Sequence, residues 1–309
     1  MEIANPDVGD LSRYVRPAGK GDRREIVRLL QRAEYRHIHV GWRYPVDWLG
    51  HPGFVVLAQE RPRRERPPSL TSTLFSQDEA LCACLAATAD PQPAAWVRVA
   101  AVTGEEAPGA SLSAMMTKVE QALRGAAVHM LGWLAIEPWP GRWLPSLGFT
   151  ISNEIETYWK DDLTQTPVTQ AEDINLRRAR VDDLDRLVQI EEAAFMPLWR
   201  HSAGSLRVAL SKAWQFDVAL FNKRVVGFQI TVHNEETAHL VRLTVSPQCH
   251  GRGVGSTLLA RAIQVCREHD IDRISLNTQI DNTTSQILYR KFGFQPSGQR
   301  FPVWTKHIG

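Results

Sequence analysis

The order of predicted structural elements occurs twice along this chain, and a polar segment separates the two copies. Each half begins with a short alternating strand and an amphipathic helix, continues through three apolar segments rich in β-forming residues, and then adds a second helix. Each half closes on a strand, a short helix and a Gly-Phe pair, which ends at Phe149 or Phe294. Two copies of this length indicate a duplicated domain rather than a solenoid.

The length and composition agree with two soluble globular domains. A chain of 309 residues is long for one domain of roughly 100 to 200 residues and sufficient for two. Apolar residues make up 43% and charged residues 23%, which permits sizeable cores. Residues 163–173, LTQTPVTQAED, contain turn formers and little to bury, so we interpret them as a linker. We therefore predict a first domain at 12–162 and a second domain at 174–309.

The charge distribution argues against a nucleic-acid partner. The net charge is +2, whereas nucleic-acid binding needs basic residues concentrated on one face. The densest basic run, RPRRERPP at 61–68, is broken by prolines and lies between apolar segments. We interpret it as a solvated loop, with a docking loop for an acidic partner as the alternative.

The sequence carries no metal or membrane signal. Its four cysteines, Cys82, Cys84, Cys249 and Cys266, form no C-x-x-C or Cys-His cluster with metal-ligand spacing. The N-terminus has no basic start followed by an apolar run, and no stretch approaches the roughly 18 apolar residues of a membrane span. We therefore expect a cytoplasmic protein that binds no metal and no membrane. Both a monomer and a homodimer are compatible with the sequence.

Residues 244–259, TVSPQCHGRGVGSTLL, place three glycines between a predicted strand and a predicted helix. The preceding segment, HLVRLTV, is apolar and β-branched, and the apolar residues after the glycines recur on one helical face. Glycine permits positive φ and close backbone approach in such a loop. The first N–H groups of the helix lack partners, and the helix dipole favours an anion. The segment therefore predicts a phosphate or diphosphate site.

Two well-known phosphate loops fit this segment poorly. The nucleoside triphosphate loop requires a Lys followed by Ser or Thr after its last glycine, and Val254, Gly255 and Ser256 include no Lys. The dinucleotide fingerprint requires a third glycine where this chain has Ser256, and it starts directly after the strand, whereas five residues precede Gly251 here. A glycine-rich turn without a ligand is the remaining alternative.

The segment QCHGRG at 248–253 resembles the Q/R-x-x-G-x-G/A signature of the GNAT superfamily of acyl-CoA N-acyltransferases, and the similarity extends from residue 174 to the end of the chain. The resemblance implies two tandem domains of the α/β (α+β) class, each a mixed twisted sheet flanked by helices, and acetyl-CoA as co-substrate. In the family, the diphosphate of coenzyme A lies on the backbone amides of this loop, and the pantetheine pairs with the strand before it. By this resemblance the cofactor-binding residues are Leu243, Val245, Gln248, Gly251, Arg252, Gly253, Gly255, Ser256, Asn282 and Ser285.

The motif DNTTSQILYRKFGF contains the predicted general acid. Asn282 or Thr283 can cap a short helix, and Gly293 is placed to end it. Tyr289 follows Asn282 by seven residues, about two turns, and lies on the same face. A phenol near the thioester sulfur can protonate the leaving thiolate. Asn282, Ser285 and Tyr289 match the N-x-x-[AS]-x-x-x-Y pattern that performs this step in the family. The alternative is a Tyr289 that serves only in packing.

The base that deprotonates the amine is not specified by either motif. A primary amine is mostly protonated at neutral pH and must lose a proton before it attacks. His239, at the start of the cofactor strand, and Glu235, in the preceding turn, are candidates by location, and Glu192 is a third. Each also fits an ordinary surface residue, because strand ends and turns are usually solvated.

The first half lacks most of these functional residues. An alignment through Arg98 and Arg242 places Glu105 and Glu106 where a diphosphate would approach, which is electrostatically unfavourable. The other pairs of this alignment are Gly104 with Gln248, Ala107 with Gly251 and Gly109 with Gly253. An alignment of the Gly-Phe ends places Leu144 opposite Tyr289. We therefore predict a degenerate copy, whose many tryptophans pack in a core or interface or, alternatively, line the acceptor pocket.

Together these features predict an N-acetyltransferase. It would transfer an acetyl group from acetyl-CoA to a primary amine by direct attack, with backbone amides polarising the carbonyl and Tyr289 as general acid. The second-half motifs also resemble enzymes that acetylate protein N-termini, so a small molecule and a peptide are both candidate acceptors. The alternative function is a non-catalytic sensor module that binds acyl-CoA.

Overall fold

The computed structural model describes residues 11–60, 79–104, 107–167 and 173–309. The chain forms two compact units, Met1–Thr150 with Trp304–Gly309 (the first unit) and Ile151–Val303 (the second unit). The basic run at 61–68, Glu105 and Glu106, the N-terminal residues 1–10 and residues 168–172 of the predicted linker lie outside the described residues.

The first unit is a mixed sheet with a helix on each face. Its elements are β1 (Val15–Pro17), α1 (Arg23–Arg32), β2 (Tyr35–Ile38), β3 (Phe54–Glu60), β4 (Glu79–Thr88), β5 (Ala94–Val102), α2 (Pro108–Gly125) and β6 (Met130–Leu134). The strand order is β1-β3-β4-β5-β6, and β2 pairs with β5. Ile26, Leu29 and Leu30 of α1 pack into an apolar cluster on one face, and the apolar residues of α2 pack into another.

The second unit has the same plan with two further α-helices. Its elements are β7 (Thr150–Lys160), β8 (Ile174–Arg178), α3 (Leu184–Ala194), α4 (Ala203–Lys212), β9 (Gln215–Phe221), β10 (Arg224–His233), β11 (Thr237–Val245), α5 (Val254–Glu268), β12 (Arg273–Gln279), α6 (Thr283–Lys291) and β13 (Gln295–His307). The strand order is β8-β9-β10-β11-β12-β7. Only β11 and β12 of this series run parallel. These mixed sheets flanked by helices confirm the predicted fold class.

The compact units differ from the predicted domain bounds of 12–162 and 174–309. Strand β7, the last strand of the first half, forms an antiparallel ladder with β12, from Ile155 opposite Gln279 to Lys160 opposite Ile274. Its backbone hydrogen bonds and the fully buried ring of Tyr158 therefore belong to the second unit. At the other end of the chain, residues from Trp304 onward belong to the first unit.

Helix α5 lies close to β10 because Gly227 has no side chain. A Cβ at this position would lie 2.8 Å from the carbonyl oxygen of Thr244 and 3.1 Å from Val254 Cγ1. The helix buries the predicted apolar face, which includes Leu258 and Ile263. In the described ranges, no helix is long and apolar enough to cross a membrane.

Candidate functional site

Strand β11 separates from β12 halfway along its length. Over the described residues, its register with β12 covers only Thr237 to Leu240, whereas its register with β10 continues to Val245. A bulge at Val241 interrupts the ladder with β10, because successive β10 residues pair with Leu240 and then with Arg242. A bulge bends a strand and increases its twist. The second half of β11 therefore has an open edge on the β12 side.

The backbone groups of Leu243 and Val245 face this open edge. The N–H of Ser246 donates to the carbonyl of Val226 at 2.7 Å, which fixes the phase of the ladder with β10. Hydrogen-bonded and non-hydrogen-bonded pairs alternate in an antiparallel ladder, so Leu243 and Val245 point their N–H and C=O groups away from β10. An extended ligand that contains amides can pair with such an edge.

The loop after β11 presents free N–H groups at the start of α5. Gly251 and Gly253 have φ angles of +75° and +79°, which favour glycine, and Gly253 is the N-cap of the helix. Within the described chain, the first N–H of this helix to reach a backbone carbonyl is that of Thr257, which bonds to Gly253 at 2.9 Å. The preceding N–H groups and the helix dipole together favour an anion.

The polar side chains of this loop are mostly exposed. Gln248 accepts a hydrogen bond from Ser246 Oγ through its Oε1 at 2.5 Å, which leaves its amide N–H groups available. The guanidinium of Arg252 lies 5.1 Å from the ring centre of Phe221. Ser256 is half-buried in the first turn of α5. His250 Nε2 lies 3.1 Å from the carbonyl oxygen of Val245, at the inner end of the loop.

The third glycine, Gly255, serves close packing. A Cβ on Gly255 would lie 3.3 Å from Leu288 Cδ2 on α6 and 3.7 Å from Val245 Cγ2. A Cβ on Gly251 would meet nothing within 4 Å. The first glycine therefore meets a conformational requirement, whereas Gly255 allows α5 to approach α6 and β11.

Helix α6 begins and ends as its sequence indicates. Asn282 is the N-cap, and its Oδ1 accepts a hydrogen bond from the N–H of Ser285 at 3.2 Å. Gly293 has a φ of +81° just beyond the C-cap residue, Phe292. Gln286 extends back and donates to the carbonyl of Ile280 at 2.8 Å, which ties the helix to the end of β12. These contacts fix the rotation of α6 and so the direction in which Tyr289 points.

Tyr289 is almost completely buried, with 6% of its surface exposed. It belongs to an apolar cluster with Leu240, and Leu243 packs against the same cluster. Burial raises the pKa of the phenol to about 12, and a hydrogen bond with Ser285 and the positive charge of Arg242 act in the opposite direction. Its hydroxyl is therefore protonated at neutral pH and can act as a proton donor.

The three predicted bases occupy different environments. His239 lies on β11, its Nδ1 is 2.8 Å from Ser275 Oγ, and burial lowers its pKa from 6.5 to about 4. Glu235 is exposed in the turn before β11, six residues from Val241, or roughly 20 Å along an extended strand. Glu192 is exposed on α3. In the described part of the chain, no group of three or more His, Cys, Asp or Glu side chains could hold a metal ion.

Glu191, a buried carboxylate that the sequence did not identify as a site residue, lies against the second half of β11. Glu191 is fully buried, and it accepts hydrogen bonds from Thr244 Oγ1 at 2.8 Å and from the N–H of His201 at 2.9 Å. Arg242 donates to both of its oxygens, through Nε at 3.0 Å and through Nη2. Burial alone would raise the pKa of this carboxyl, but the Arg242 charge and the donated hydrogen bonds bring it below its ordinary value.

Arg242 connects β11 to the segment between α3 and α4. Its Nη2 donates to the carbonyl of Trp199 at 2.7 Å, and its guanidinium carbon lies 3.6 Å from the ring centre of Phe195. A carboxylate on the apolar face of a predicted helix, as Glu191 is on α3, was the signal in the sequence. Its partner, however, is 51 residues away in the chain.

Comparison with known proteins identifies the type of domain in the second unit. The model of the acetyltransferase (GNAT) family matches residues 184–294. A ribosomal protein bS18 alanine N-acetyltransferase from Haemophilus influenzae is 28% identical over 127 residues, which cover 41% of this chain and 85% of that protein. A mycothiol acetyltransferase from Clavibacter sepedonicus is 31% identical over 123 residues, which cover 37% of this chain and only 40% of that protein.

The two-unit architecture is also found in a solved structure. A tandem GNAT protein from the clavulanic acid biosynthesis pathway superposes with a TM-score of 0.60 at 15% identity. The superposition covers 96% of this chain and 98% of that one. At this identity the likeness concerns the fold alone, and it extends to both halves of the chain.

Proposed function

Because this chain belongs to the GNAT superfamily of acetyltransferases, we propose that its second unit transfers an acetyl group from acetyl-CoA to a primary amine. The class of enzyme is an acyl-CoA-dependent N-acetyltransferase. The observation that carries the proposal is the open edge of β11 next to the free N–H groups at the start of α5. One extended ligand with amides and a diphosphate can use both.

The residues of the proposed cofactor site have distinct roles. Leu243 and Val245 would pair with the amides of the pantetheine through their backbone groups. The N–H groups of residues 251–256 would bind the diphosphate, with the side chains of Gln248 and Arg252 at its border. When bound, acetyl-CoA supplies an acyl group activated as a thioester.

Tyr289 is the proposed general acid. Its raised pKa keeps the phenol protonated at neutral pH, so that a proton is available for the thiolate that leaves the thioester. The hydrogen bond with Ser285 and the cap at Asn282 hold the helix turn from which the phenol projects. The backbone N–H groups at the open edge of β11 would polarise the thioester carbonyl.

The acceptor is proposed to be a primary amine of a peptide or a small molecule. By their names, one relative acetylates an alanine of a ribosomal protein and the other acts in mycothiol acetylation, so both acceptor classes occur among the relatives. His239 is the predicted base that lies on β11 itself. A pKa of about 4 keeps its ring neutral, so it can accept a proton, although with little driving force.

A screen with thiol detection tests this function. The full chain is incubated with acetyl-CoA and a panel of small amines and of peptides with different free N-termini, and release of coenzyme A is followed. We expect at least one acceptor to raise thiol release well above background hydrolysis, and mass spectrometry to find a product in which one acetyl group has replaced one hydrogen of the acceptor. Tight acetyl-CoA binding without acceptor-dependent release would instead support the sensor module.

A further inference from the structure

Strand β5 of the first unit repeats the bulged geometry of β11. It pairs with β6 only from Ala94 to Trp96 in the described residues, and a bulge at Arg98 interrupts its ladder with β4. Both strands end four residues after the bulge. When the two strands are aligned through their bulges, Arg98 corresponds to Val241. The alignment of the sequences alone had paired Arg98 with Arg242, one residue further along.

With this alignment, Ala100 and Val102 are the structural equivalents of Leu243 and Val245. The N–H of Thr103 donates to the carbonyl of Cys82 at 3.0 Å, so the backbone groups of Ala100 and Val102 point away from β4. They face the position that is open in the second unit.

In the first unit this edge is already paired. Tyr35 of β2 lies opposite Val102 and His37 lies opposite Ala100, in an antiparallel register. The pairing continues beyond β2, because the N–H of His39 donates to the carbonyl of Arg98 at 2.8 Å. Strand β2 therefore uses the backbone groups whose equivalents we assign to the pantetheine of the cofactor. At the corresponding place in the chain, between the first helix and the next strand, the second unit has helix α4 instead.

The N-terminus of α2 also differs from the proposed diphosphate site at the start of α5. Five residues, 103–107, connect β5 to α2, whereas eight residues, 246–253, connect β11 to α5. The first residue of α2 is Pro108, which has no N–H to donate. Next to it, a Cβ on Gly109 would lie 2.6 Å from Cδ1 of Trp143. Counted from the first residue of each helix, Gly109 corresponds to Gly255, where a Cβ would lie 3.3 Å from Cδ2 of the smaller Leu288.

Three aromatic rings connect the N-terminus of α2 with β2. The ring centres of Tyr35, Trp139 and Trp143 lie 5.7 to 6.1 Å from one another. Trp139 Nε1 donates to the carbonyl of Arg36 at 2.9 Å, which attaches the cluster to β2. All three rings pack against the apolar cluster beneath α2.

We propose that β2 and these three rings, together the β2 plug, replace the cofactor in the first unit, so that the chain binds one acyl-CoA, in the second unit. This inference rests on the proposed function, because the second unit supplies the assignment of the backbone groups. On this proposal, restoring the glycine-rich loop sequence before α2 would not restore cofactor binding to the first unit, because β2 would still occupy the strand edge.

Residue-resolved hydrogen exchange of the full chain, with and without saturating acetyl-CoA, tests the plug. We expect the amides of Ala100 and Val102 to be protected without ligand and unchanged by it, and those of Leu243 and Val245 to gain protection when acetyl-CoA is added. Added protection at Ala100 and Val102 would refute the plug alone. No gain at Leu243 and Val245 would refute the proposed cofactor site and, with it, the inference.

Calorimetry provides a second readout on the same protein. Titration with acetyl-CoA should give one site per chain. The Gly253→Val variant, which damages only the loop of the second unit, should leave no site of the original affinity. A second site of comparable affinity in the parent chain, or an undiminished site in the variant, overturns the proposal.

Discussion

At the scale of single residues, Tyr289 allows the proposed proton transfer to be tested separately from the proposed cofactor binding. The phenol is buried and protonated, and its ring packs near Tyr158 and Phe294 at centre distances of 6.4 and 6.0 Å. The cofactor contacts proposed here come from backbone groups of β11 and of the loop before α5. Removal of one hydroxyl should therefore affect proton transfer and leave cofactor binding intact.

Replacement of Tyr289 by Phe should lower turnover by about 10² or more, since a general acid contributes roughly 10² to 10⁴. The affinity for acetyl-CoA, measured by calorimetry, should change little. Tyr158→Phe is the matched control, because it removes a hydroxyl from the neighbouring ring, where the group bonds to Glu156 at 3.1 Å. Turnover of Tyr289→Phe within a factor of two of the parent would reduce Tyr289 to a packing residue.

Gly253 should be intolerant of substitution for a conformational reason. Valine is strongly disfavoured at a φ of +79°, and the residue caps the helix at the proposed diphosphate site. We expect Gly253→Val to weaken acetyl-CoA binding at least tenfold. The matched control is Gly298→Val on β13, where φ is +77° and a Cβ would meet nothing within 4 Å. Equal loss of affinity in both variants would point to general backbone strain rather than to the loop.

Residues with local roles were the most predictable. The cap at Asn282, the end of the helix at Gly293 and the glycines before α5 depend on neighbours within a few residues, so spacing was sufficient to place them. Glu191 was not identified because its role depends on Arg242, which reaches it only after β11 pairs with β10. Sequence periodicity placed this glutamate on an apolar helix face but could not supply its partner.

At the scale of elements, the Glu191–Arg242 pair fastens α3 to β11. Removal of one partner from a buried ion pair leaves the other charge uncompensated, which costs roughly 3 to 5 kcal/mol. We expect Glu191→Ala to lower the free energy of unfolding by about that amount in urea titrations. Glu192→Ala, the exposed neighbour, is the control and should change stability by no more than about 0.5 kcal/mol.

The same pair should make stability depend on pH in a defined direction. The pKa of Glu191 in the folded protein lies below its ordinary value of 4.5. A lowered folded-state pKa stabilises the protein above the unfolded-state value, and this contribution is lost as the pH falls through the folded-state pKa. The stability difference between the parent and Glu191→Ala should therefore be constant near neutral pH and shrink below about pH 4.5. A difference that grows on acidification would contradict the ion-pair assignment.

Strand β2 illustrates what the sequence could not specify at this scale. Its four residues, YRHI, are too few to carry a clear alternating pattern, and the strand forms only because β5 offers an edge more than 60 residues later in the chain. The central strands and the helices α1, α2, α3 and α5 followed their own apolar patterns and were predicted, whereas β7, β13 and α4 were not. Strand β2 forms through its pairing with the distant β5, and at the corresponding place in the second unit the chain forms helix α4.

At the scale of the whole molecule, the position of β7 decides where the chain can be divided. Cutting at the predicted linker removes β7 from the second unit, so β12 loses six paired residues and Tyr158 leaves the core. A fragment of residues 151–303 should therefore unfold cooperatively, whereas a fragment of residues 174–309 should show weak cooperativity in thermal unfolding followed by circular dichroism. Equal cooperativity of the two fragments would mean that β7 is dispensable.

The unpaired edge of β11 also bears on how the protein behaves in storage. Free N–H and C=O groups along a strand form a template on which another chain can add a strand, the usual first step of β-type self-association. In the first unit β2 covers the equivalent edge, whereas in the second unit the proposed cofactor would cover it. Purified protein without coenzyme A should therefore scatter more light over time than protein kept with it, and the cofactor would act as a guard against aggregation as well as a reactant.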